Sequence, residues 1–196
     1  MDAFLRALPD VAYVVEPAGR ILAVNEGPWR RFGEVNGNGP WTDPATATGR
    51  SVFEGIADEA TRAWYRALHD RLATTERGVA FHYRCDGPGV ERDMLMTVTP
   101  LRREARVVAL LYQSILLAER QRLPASFLRR SAAPPAAGEP LVAVCSFCNR
   151  VRVPADDEDA PWRRVEDYYR AGGTDDVGVT HGICAECLAR ELPPLG

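Results

Sequence analysis

The stretch LPDVAYVVEPAGRILAVN, residues 8–25, decides the fold of the N-terminal half of the chain. It contains two short apolar runs, 12–15 and 21–24, and the residues between them include the turn formers proline and glycine. Short runs rich in valine and isoleucine on either side of such a turn predict two β-strands. Asn25 then stands where a helix cap is expected. The stretch therefore predicts a β-hairpin that leads directly into a helix.

The residues that follow predict further helices and three more strands. Residues 58–74 carry an apolar stripe at i, i+3, i+4 spacing, which is typical of a helix packed on one side. Alternating runs come next, around Tyr83 and around Met96, followed by the run 107–117, which is apolar on both faces. A strand of this last kind lies centrally in a sheet or contacts a partner with its second face.

This order of elements over residues 1–120 resembles a PAS domain, and four short motifs support the resemblance. They are the opening residues 8–15, the pattern Gly19-x-Ile21-x-x-x-Asn25, the segment 49–53 and Met96-x-Val98-x-Pro100-Leu101. The resemblance implies an α+β fold: a five-stranded antiparallel sheet with helices on one face, which in some members encloses a ligand. It also implies that the opposite face of the sheet serves dimerisation or contact with an output partner.

Five side chains are candidates for lining a ligand pocket in this PAS-like domain. They are Tyr13, Trp29, Tyr83, Met94 and Met96. Methionine and aromatic side chains on an inward face also fill an ordinary hydrophobic core, and we prefer that interpretation. The identity of a PAS ligand, if there is one, does not follow from the sequence.

The sequence argues against haem and flavin as cofactors. Some PAS domains bind haem through a histidine on their longest helix, but His69 projects away from the centre of the apolar stripe. We therefore predict that His69 is exposed or flanks the core. The Asn-Cys-Arg-Phe sequence of the light-sensing flavin branch does not occur, and Cys85 is expected to be a small core residue on a strand.

A segment rich in proline and alanine separates this domain from the C-terminal part of the chain. Residues 123–140, LPASFLRRSAAPPAAGEP, lack the periodicity of a helix or strand and predict a semi-extended linker. We therefore expect a PAS-like sensor domain at 1–122 and a separate module at 141–196.

Four of the five cysteines form two Cys-x-x-Cys pairs in that module, Cys145/Cys148 and Cys184/Cys187. Two such pairs can surround one cation with four thiolates in the tetrahedral geometry that zinc prefers. A module of about 56 residues buries too little apolar surface to fold securely by itself, and metal binding would supply the missing stability. The pairs therefore predict a structural zinc site.

Alternatives to this site stay open. The cysteines could form a redox pair, an iron–sulfur cluster or no metal site, and His181 could replace one thiolate. The first pair leads into a strand pattern and the second into a helical one, which predicts a treble-clef-like layout. The motifs around the cysteines, such as Cys-Ser-x-Cys-x-Arg-Val-Arg from Cys145, also resemble a cysteine-rich extension of bacterial signalling proteins.

Composition and charge narrow the class of function. The net charge of −3 gives no general attraction to nucleic acid. No apolar run approaches the ~20 residues of a membrane-spanning helix, and the N-terminus lacks the layout of a secretory signal. We therefore expect a cytoplasmic protein that binds neither membranes nor nucleic acid. We also expect no enzymatic activity, because no phosphate-binding loop and no nucleophile–base pair is recognisable.

Two functional hypotheses follow. The first is a non-enzymatic bacterial signalling sensor or adaptor. Its PAS-like domain would sense a small ligand or dimerise, and its zinc module would pass the signal to a protein partner. A homodimer would form through the PAS sheet, with Leu111 and Leu116 on the dimer or relay face. The second is a thiol switch, in which oxidation of the Cys-x-x-Cys pairs releases zinc.

Overall fold

A computed structural model describes residues 2–36, 39–56, 59–87, 89–122, 124–128, 140–157 and 159–191. The N-terminal part of the chain forms a five-stranded sheet in which every strand is antiparallel to its neighbours. The strands are β1 (Val11–Val15), β2 (Ile21–Val24), β3 (Val79–Arg84), β4 (Val90–Arg103) and β5 (Arg106–Gln121). Their order in the sheet is β2-β1-β5-β4-β3, so β2 and β3 are the edge strands. The five-stranded antiparallel sheet predicted from the sequence is confirmed.

The hairpin predicted from the runs at 12–15 and 21–24 is present as β1 and β2, and a glycine permits its turn. Gly19 has a φ of 98°, in the left-handed region that glycine adopts without strain. A Cβ atom at this position would lie 2.3 Å from Cε2 of Phe53, so the approach of that ring also requires glycine. The turn is thereby fixed both by backbone geometry and by packing.

Asn25 is buried at the end of the hairpin, where it holds the start of β1. Its Oδ1 accepts a hydrogen bond from the Ala12 N–H at 2.9 Å, and its Nδ2 donates to the carbonyls of Leu8 and Asp10. Asn25 thus directly precedes a helix, as predicted, while its side chain bonds to the neighbouring strand.

The helices pack mainly on one face of the sheet. They include α2 (Glu26–Asn36), α3 (Pro44–Ala47) and α4 (Glu59–Thr74), together with the 3-10 turns Gly39–Thr42 and Val52–Gly55. The helix predicted at 58–74 is α4, whose Leu68 and Leu72 pack against Val98 and Leu110 of the sheet. Among the described residues, no helix combines the length and the apolar character needed to cross a membrane.

A short N-terminal helix, α1 (Asp2–Arg6), covers part of the opposite face of the sheet. Its Leu5 packs with Ala12 and Val14 of β1 and with Leu111 of β5. Successive side chains of a strand point to opposite faces, so these residues form a small second core beneath the sheet.

The C-terminal module has its own three-stranded sheet. Its elements are β6 (Leu141–Cys145), β7 (Val151–Arg152), α5 (Val165–Arg170), β8 (Gly178–Gly182) and α6 (Ala185–Glu191). Strand β6 is central, antiparallel to β7 and parallel to β8. The first cysteine pair thus leads into a strand and the second into a helix, as the treble-clef-like prediction requires.

Part of the predicted linker packs against this module. Phe127 is buried and lies against the rings of Tyr168 and Tyr169, while Ala125 belongs to the same apolar cluster. The Phe127 N–H also donates a hydrogen bond to Asp175 Oδ1 at 3.1 Å. Residues 124–128 are therefore not a free spacer, whereas 123 and 129–139 lie outside the described residues. The division at 122 and 140 stays a prediction.

Candidate metal site and its contact with the sheet domain

The four C-terminal cysteines come together at one end of the module. Cys145 ends β6 and Cys148 follows in the next turn, while Cys184 precedes α6 and Cys187 lies in its first turn. Their Sγ atoms all lie within 4.8 Å of one another, and none forms a disulfide. These residues, which the sequence predicts as metal ligands, are close enough to hold a metal ion.

The sulfur spacing fits tetrahedral coordination. A Zn–S distance of about 2.3 Å in a tetrahedron places the sulfur atoms about 3.8 Å apart. The Sγ atoms of Cys148 and Cys184 are separated by 3.7 Å, far more than the roughly 2.05 Å of a disulfide bond. The donor set, four sulfur atoms at this spacing, suits a soft or borderline cation such as zinc.

Backbone N–H groups point at two of the sulfur atoms, and neighbouring thiols shift the pKa values of one another. The Cys184 N–H approaches Cys145 Sγ at 3.4 Å, and the Cys187 N–H approaches Cys184 Sγ at the same distance. A hydrogen bond from the Cys148 thiol, supported by backbone N–H groups, lowers the pKa of Cys145 to about 5. The same bond, with burial, raises the pKa of Cys148, and burial raises that of Cys187 to about 12. A cation would favour ionisation of all four thiols.

Two arginines lie close to the sulfur cluster. Arg150 forms a 2.6 Å ion pair with Glu186, and Arg190 Nη2 approaches Cys187 Sγ at 3.7 Å. The hydrogen bond to Glu186 and the charge of that carboxylate raise the pKa of Arg150. Positive charge of this kind would offset the net negative charge of a four-thiolate site.

His181 lies on β8, three residues before Cys184, opposite Val144 of β6. The close group of potential ligands among the described residues consists of the four cysteines and does not include it. All four positions of a tetrahedral site are thus available as sulfur, and His181 as a replacement ligand stays a prediction.

The first cysteine pair contacts the larger domain through the residues between its two cysteines. Phe147 is 4% exposed and packs edge-on against Trp64 of α4, with ring centroids 5.4 Å apart. Its ring also lies 6.0 Å from that of Phe81 on β3. The sequence analysis did not single out Phe147, although an aromatic residue inside a Cys-x-x-Cys pair is a recognisable signal.

A second contact between the two parts is ionic. Arg122 directly follows β5, and its side chain is only 3% exposed. The guanidinium lies 2.9 Å from the carboxylate of Asp86, two residues beyond β3, and 3.0 Å from Glu166 of α5. Asp86 is in turn bound by Arg84. This network gives no periodic signal in the sequence and was not anticipated.

Comparison with known proteins identifies the larger domain. The sequence profile of the PAS fold matches residues 5–122. The chain belongs to the PAS-fold family. A comparison with curated proteins gave no match.

Solved PAS structures show distant similarity to this chain. The PAS domain of Bordetella pertussis BvgS is 17% identical over 61% of this chain and 85% of that chain, with a TM-score of 0.48. Vibrio cholerae VqmA, a dimer, is 18% identical over 59% and 49%, with a TM-score of 0.46. The PAS domain of the Cronobacter turicensis quorum-sensing receptor RpfR, in complex with C12:0, is 14% identical over 57% and 96%, with a TM-score of 0.41. Similarities of this size identify neither a ligand nor a partner of this chain.

The five residues predicted as possible pocket lining pack in the interior of the PAS domain. Tyr13 stacks on Tyr112 with ring centroids 4.9 Å apart and meets Trp29 edge-on, and burial raises the pKa of Tyr13 well above its usual value. Met94 and Met96 are buried, and the Tyr83 hydroxyl is hydrogen-bonded to Ser114. None of the five lines the cleft of about 550 Å³ beside Leu5 and Arg30, or the neighbouring cleft of about 440 Å³ beside Leu8 and Arg31.

The predicted position of His69 is wrong. The side chain is 2% exposed, and both ring nitrogens are used: Nδ1 lies 2.9 Å from the Pro17 carbonyl and Nε2 2.5 Å from the Tyr112 hydroxyl. Phe53 packs beside the ring. The side chain lies at the edge of the apolar stripe of α4. The turn between β1 and β2 and the ring of Phe53 cover it. Cys85 also differs from expectation, since it lies one residue beyond β3 and is partly exposed.

Leu111 and Leu116 do not share a face. They lie five residues apart on β5, and an odd separation places two side chains on opposite sides of a strand. Leu111 is 8% exposed and packs beneath Leu5 of α1, whereas Leu116 is 47% exposed. The prediction of one dimer or relay face that contains both residues is therefore wrong, and of the two only Leu116 remains available to a partner.

Proposed function

We propose that the chain is a non-enzymatic signalling sensor or adaptor, in which a PAS domain is joined to a module stabilised by zinc. Membership of the PAS family supports the sensory part, because PAS domains are generally sensory. The cluster of four Sγ atoms within 4.8 Å of one another carries the metal-binding part.

Zinc is the cation that the donor set favours. Closed sites of four thiolates are typical of structural zinc, which has no open position for chemistry. Cys145, Cys184 and Cys187 are buried, which suits a structural centre. The buried core of the module is a small cluster around Val142, Val144 and Tyr168, so metal coordination would add substantially to its stability.

The output of the proposed sensor is contact with a protein. The chain carries a net charge of −3, which disfavours nucleic acid as a general partner. The exposed apolar side chain of Leu116, on the far part of β5, offers a contact for a second copy or for another protein. A homodimer through the PAS sheet is the form of assembly that we propose.

Elemental analysis of the purified protein tests the metal site. We expect about one zinc ion per chain, and loss of that zinc in Cys148→Ser. Cys85→Ser is the matched control, because Cys85 is a cysteine outside the cluster and should leave the zinc content unchanged. Zinc-free protein with full cysteine content would refute the proposal, and an absorption spectrum of the same sample would reveal an iron–sulfur cluster instead.

The second candidate function is a thiol-based redox switch. It is favoured by the position of Cys148, which is partly exposed and 3.7 Å from Cys184 at the sulfur atoms. Oxidation of cysteine pairs would remove thiolate ligands and release the metal. Mild peroxide should then release zinc within minutes, detected with a chromogenic chelator, and a reductant should restore binding. Zinc retention over hours would leave only the structural role.

A further inference from the structure

The C-terminal module contacts the PAS domain through aromatic packing and through a buried ionic network. In the first, the Phe147 ring inserts beside Trp64 and Phe81 and is almost fully buried. In the second, the buried guanidinium of Arg122 joins Asp86 of the PAS domain to Glu166 of the module. Two contacts fix the orientation of the module better than one contact would.

Two hydrogen bonds support the aromatic contact. The Arg84 N–H donates to the Phe147 carbonyl at 2.8 Å, and the Thr61 hydroxyl bonds to the Ser146 hydroxyl at 3.2 Å. Arg84 ends the edge strand β3, and no strand of the described part of the chain pairs with its outer side. The turn between the two cysteines therefore supplies a hydrogen-bond acceptor at the end of an open sheet edge.

The metal site and this contact share the same few residues. Ser146 and Phe147 lie between Cys145 and Cys148, so a cation that holds both sulfur atoms also fixes the backbone that presents the Phe147 ring. Without the cation, the short turn loses two of its anchors. Metal binding at the cysteines and docking of Phe147 on the PAS domain are then coupled through the turn 145–148. Such coupling is reciprocal, so each event favours the other.

We propose that the C-terminal module is an intramolecular lid on the PAS domain, which metal at the four cysteines keeps closed. Loss of the metal frees Ser146 and Phe147 from their docking site and uncovers Trp64, Phe81 and the end of β3. The PAS domain in turn slows metal loss, because Phe147 must leave its aromatic contacts before the turn can open. This inference rests on metal binding as proposed above.

Hydrogen exchange with mass spectrometric detection tests the lid in the full-length protein. Samples loaded with zinc are compared with samples treated with EDTA under reducing conditions. We expect amides of α4 around Thr61–Leu68 and the end of β3 to exchange about tenfold faster without zinc, within the usual range of coupling energies. Peptides from β1 and β2, which lie across the sheet, should keep their protection.

A variant separates docking from metal binding. Phe147→Ala should keep one zinc per chain but show faster exchange in α4 while zinc is bound, and should lose zinc to EDTA about tenfold faster than the parent. Leu141→Ala is the matched control, since it removes an exposed apolar side chain of the same module. It should behave like the parent protein in both measurements.

The outcomes distinguish the two proposals. One zinc per chain with identical exchange in α4 before and after EDTA overturns the lid and leaves the metal site intact. An equal rise in exchange in β1 and β2 also overturns it, because it indicates global unfolding and not local release. A chain that binds no zinc overturns the proposed function and, with it, this inference.

Discussion

The backbone N–H of Arg84 donates a hydrogen bond to the carbonyl of Phe147 at 2.8 Å. The two residues are far apart in sequence, one at the end of an edge strand of the PAS sheet and the other inside a Cys-x-x-Cys pair. Their bond shows that the cysteine module is docked on the PAS domain and does not hang free on its linker.

Removal of the Phe147 ring should destabilise the whole chain. Phe147→Ala deletes a buried aromatic side chain and leaves a cavity beside Trp64, so we expect a loss of about 3 kcal/mol in the free energy of unfolding. Urea denaturation of zinc-loaded protein measures it. Phe4→Ala is the matched control, because Phe4 is 66% exposed and its removal should change stability by less than about 0.5 kcal/mol. Equal effects of both variants would contradict the docking.

Loss of the Arg122 guanidinium should remove one of the two arginines that pair with the buried Asp86. Arg122→Met keeps the length of the side chain but leaves Asp86 with Arg84 alone, at an expected cost of about 2 kcal/mol in unfolding free energy. Arg120→Met, at an exposed position near the end of β5, should cost less than about 0.5 kcal/mol. Urea unfolding of both variants measures these losses. An Arg122→Met variant with the unfolding free energy of the parent would show that the ionic network contributes little to stability.

The buried His69 should make stability depend on pH. Burial lowers the pKa of His69 in the folded protein, despite its hydrogen bond to the Pro17 carbonyl and the nearby Asp70. The folded protein therefore disfavours the protonated form. This contribution to stability is fully present above the unfolded pKa of about 6.5 and is lost as the pH falls toward the folded value.

Comparison with His69→Gln isolates that effect. We expect the free energy of unfolding of the parent to fall more between pH 8 and pH 5.5 than that of the variant, since only the parent carries this titrating group. The cysteines are common to both proteins, so their pH dependence cancels in the difference. Identical changes in the two proteins would show that His69 does not titrate differently on unfolding.

The exposed residue Leu116 gives a test of assembly that Leu111 does not. If a homodimer forms through the exposed part of β5, Leu116→Asp should shift the sedimentation coefficient to that of a monomer without lowering the unfolding temperature. Leu111→Asp buries a charge beneath α1 and should unfold the protein whatever its assembly. A dimer that persists in Leu116→Asp would place the interface elsewhere.

The local elements could be predicted from the sequence because each leaves a periodic or positional trace. The hairpin at 11–24 follows from two apolar runs around a glycine turn, and α4 follows from its stripe. The cysteine site follows from spacing, since four sulfur atoms in two Cys-x-x-Cys pairs can meet around one cation whatever lies between them. Each of these features leaves a signal among residues that are close together in the sequence.

The errors arose where distant residues decide the environment. A helical projection places His69 at the edge of the stripe, but Pro17 and Tyr112, which come from other elements, bury it. Leu111 is covered by Leu5 of α1, a contact that the pattern of β5 cannot show. The burial of a side chain depends on residues from other elements. The pattern of one strand or helix does not show which residues will cover it.

The sequence by itself thus determined the PAS domain, the cysteine set and the order of the parts. Only the tertiary structure decided that the parts touch, through Phe147 on Trp64 and through Arg122 between Asp86 and Glu166. These contacts join residues that are 36, 44 and 83 positions apart in the sequence. A single contact between residues so far apart leaves no periodic pattern in the sequence. The packing of the module on the PAS domain therefore follows only from the folded structure of both.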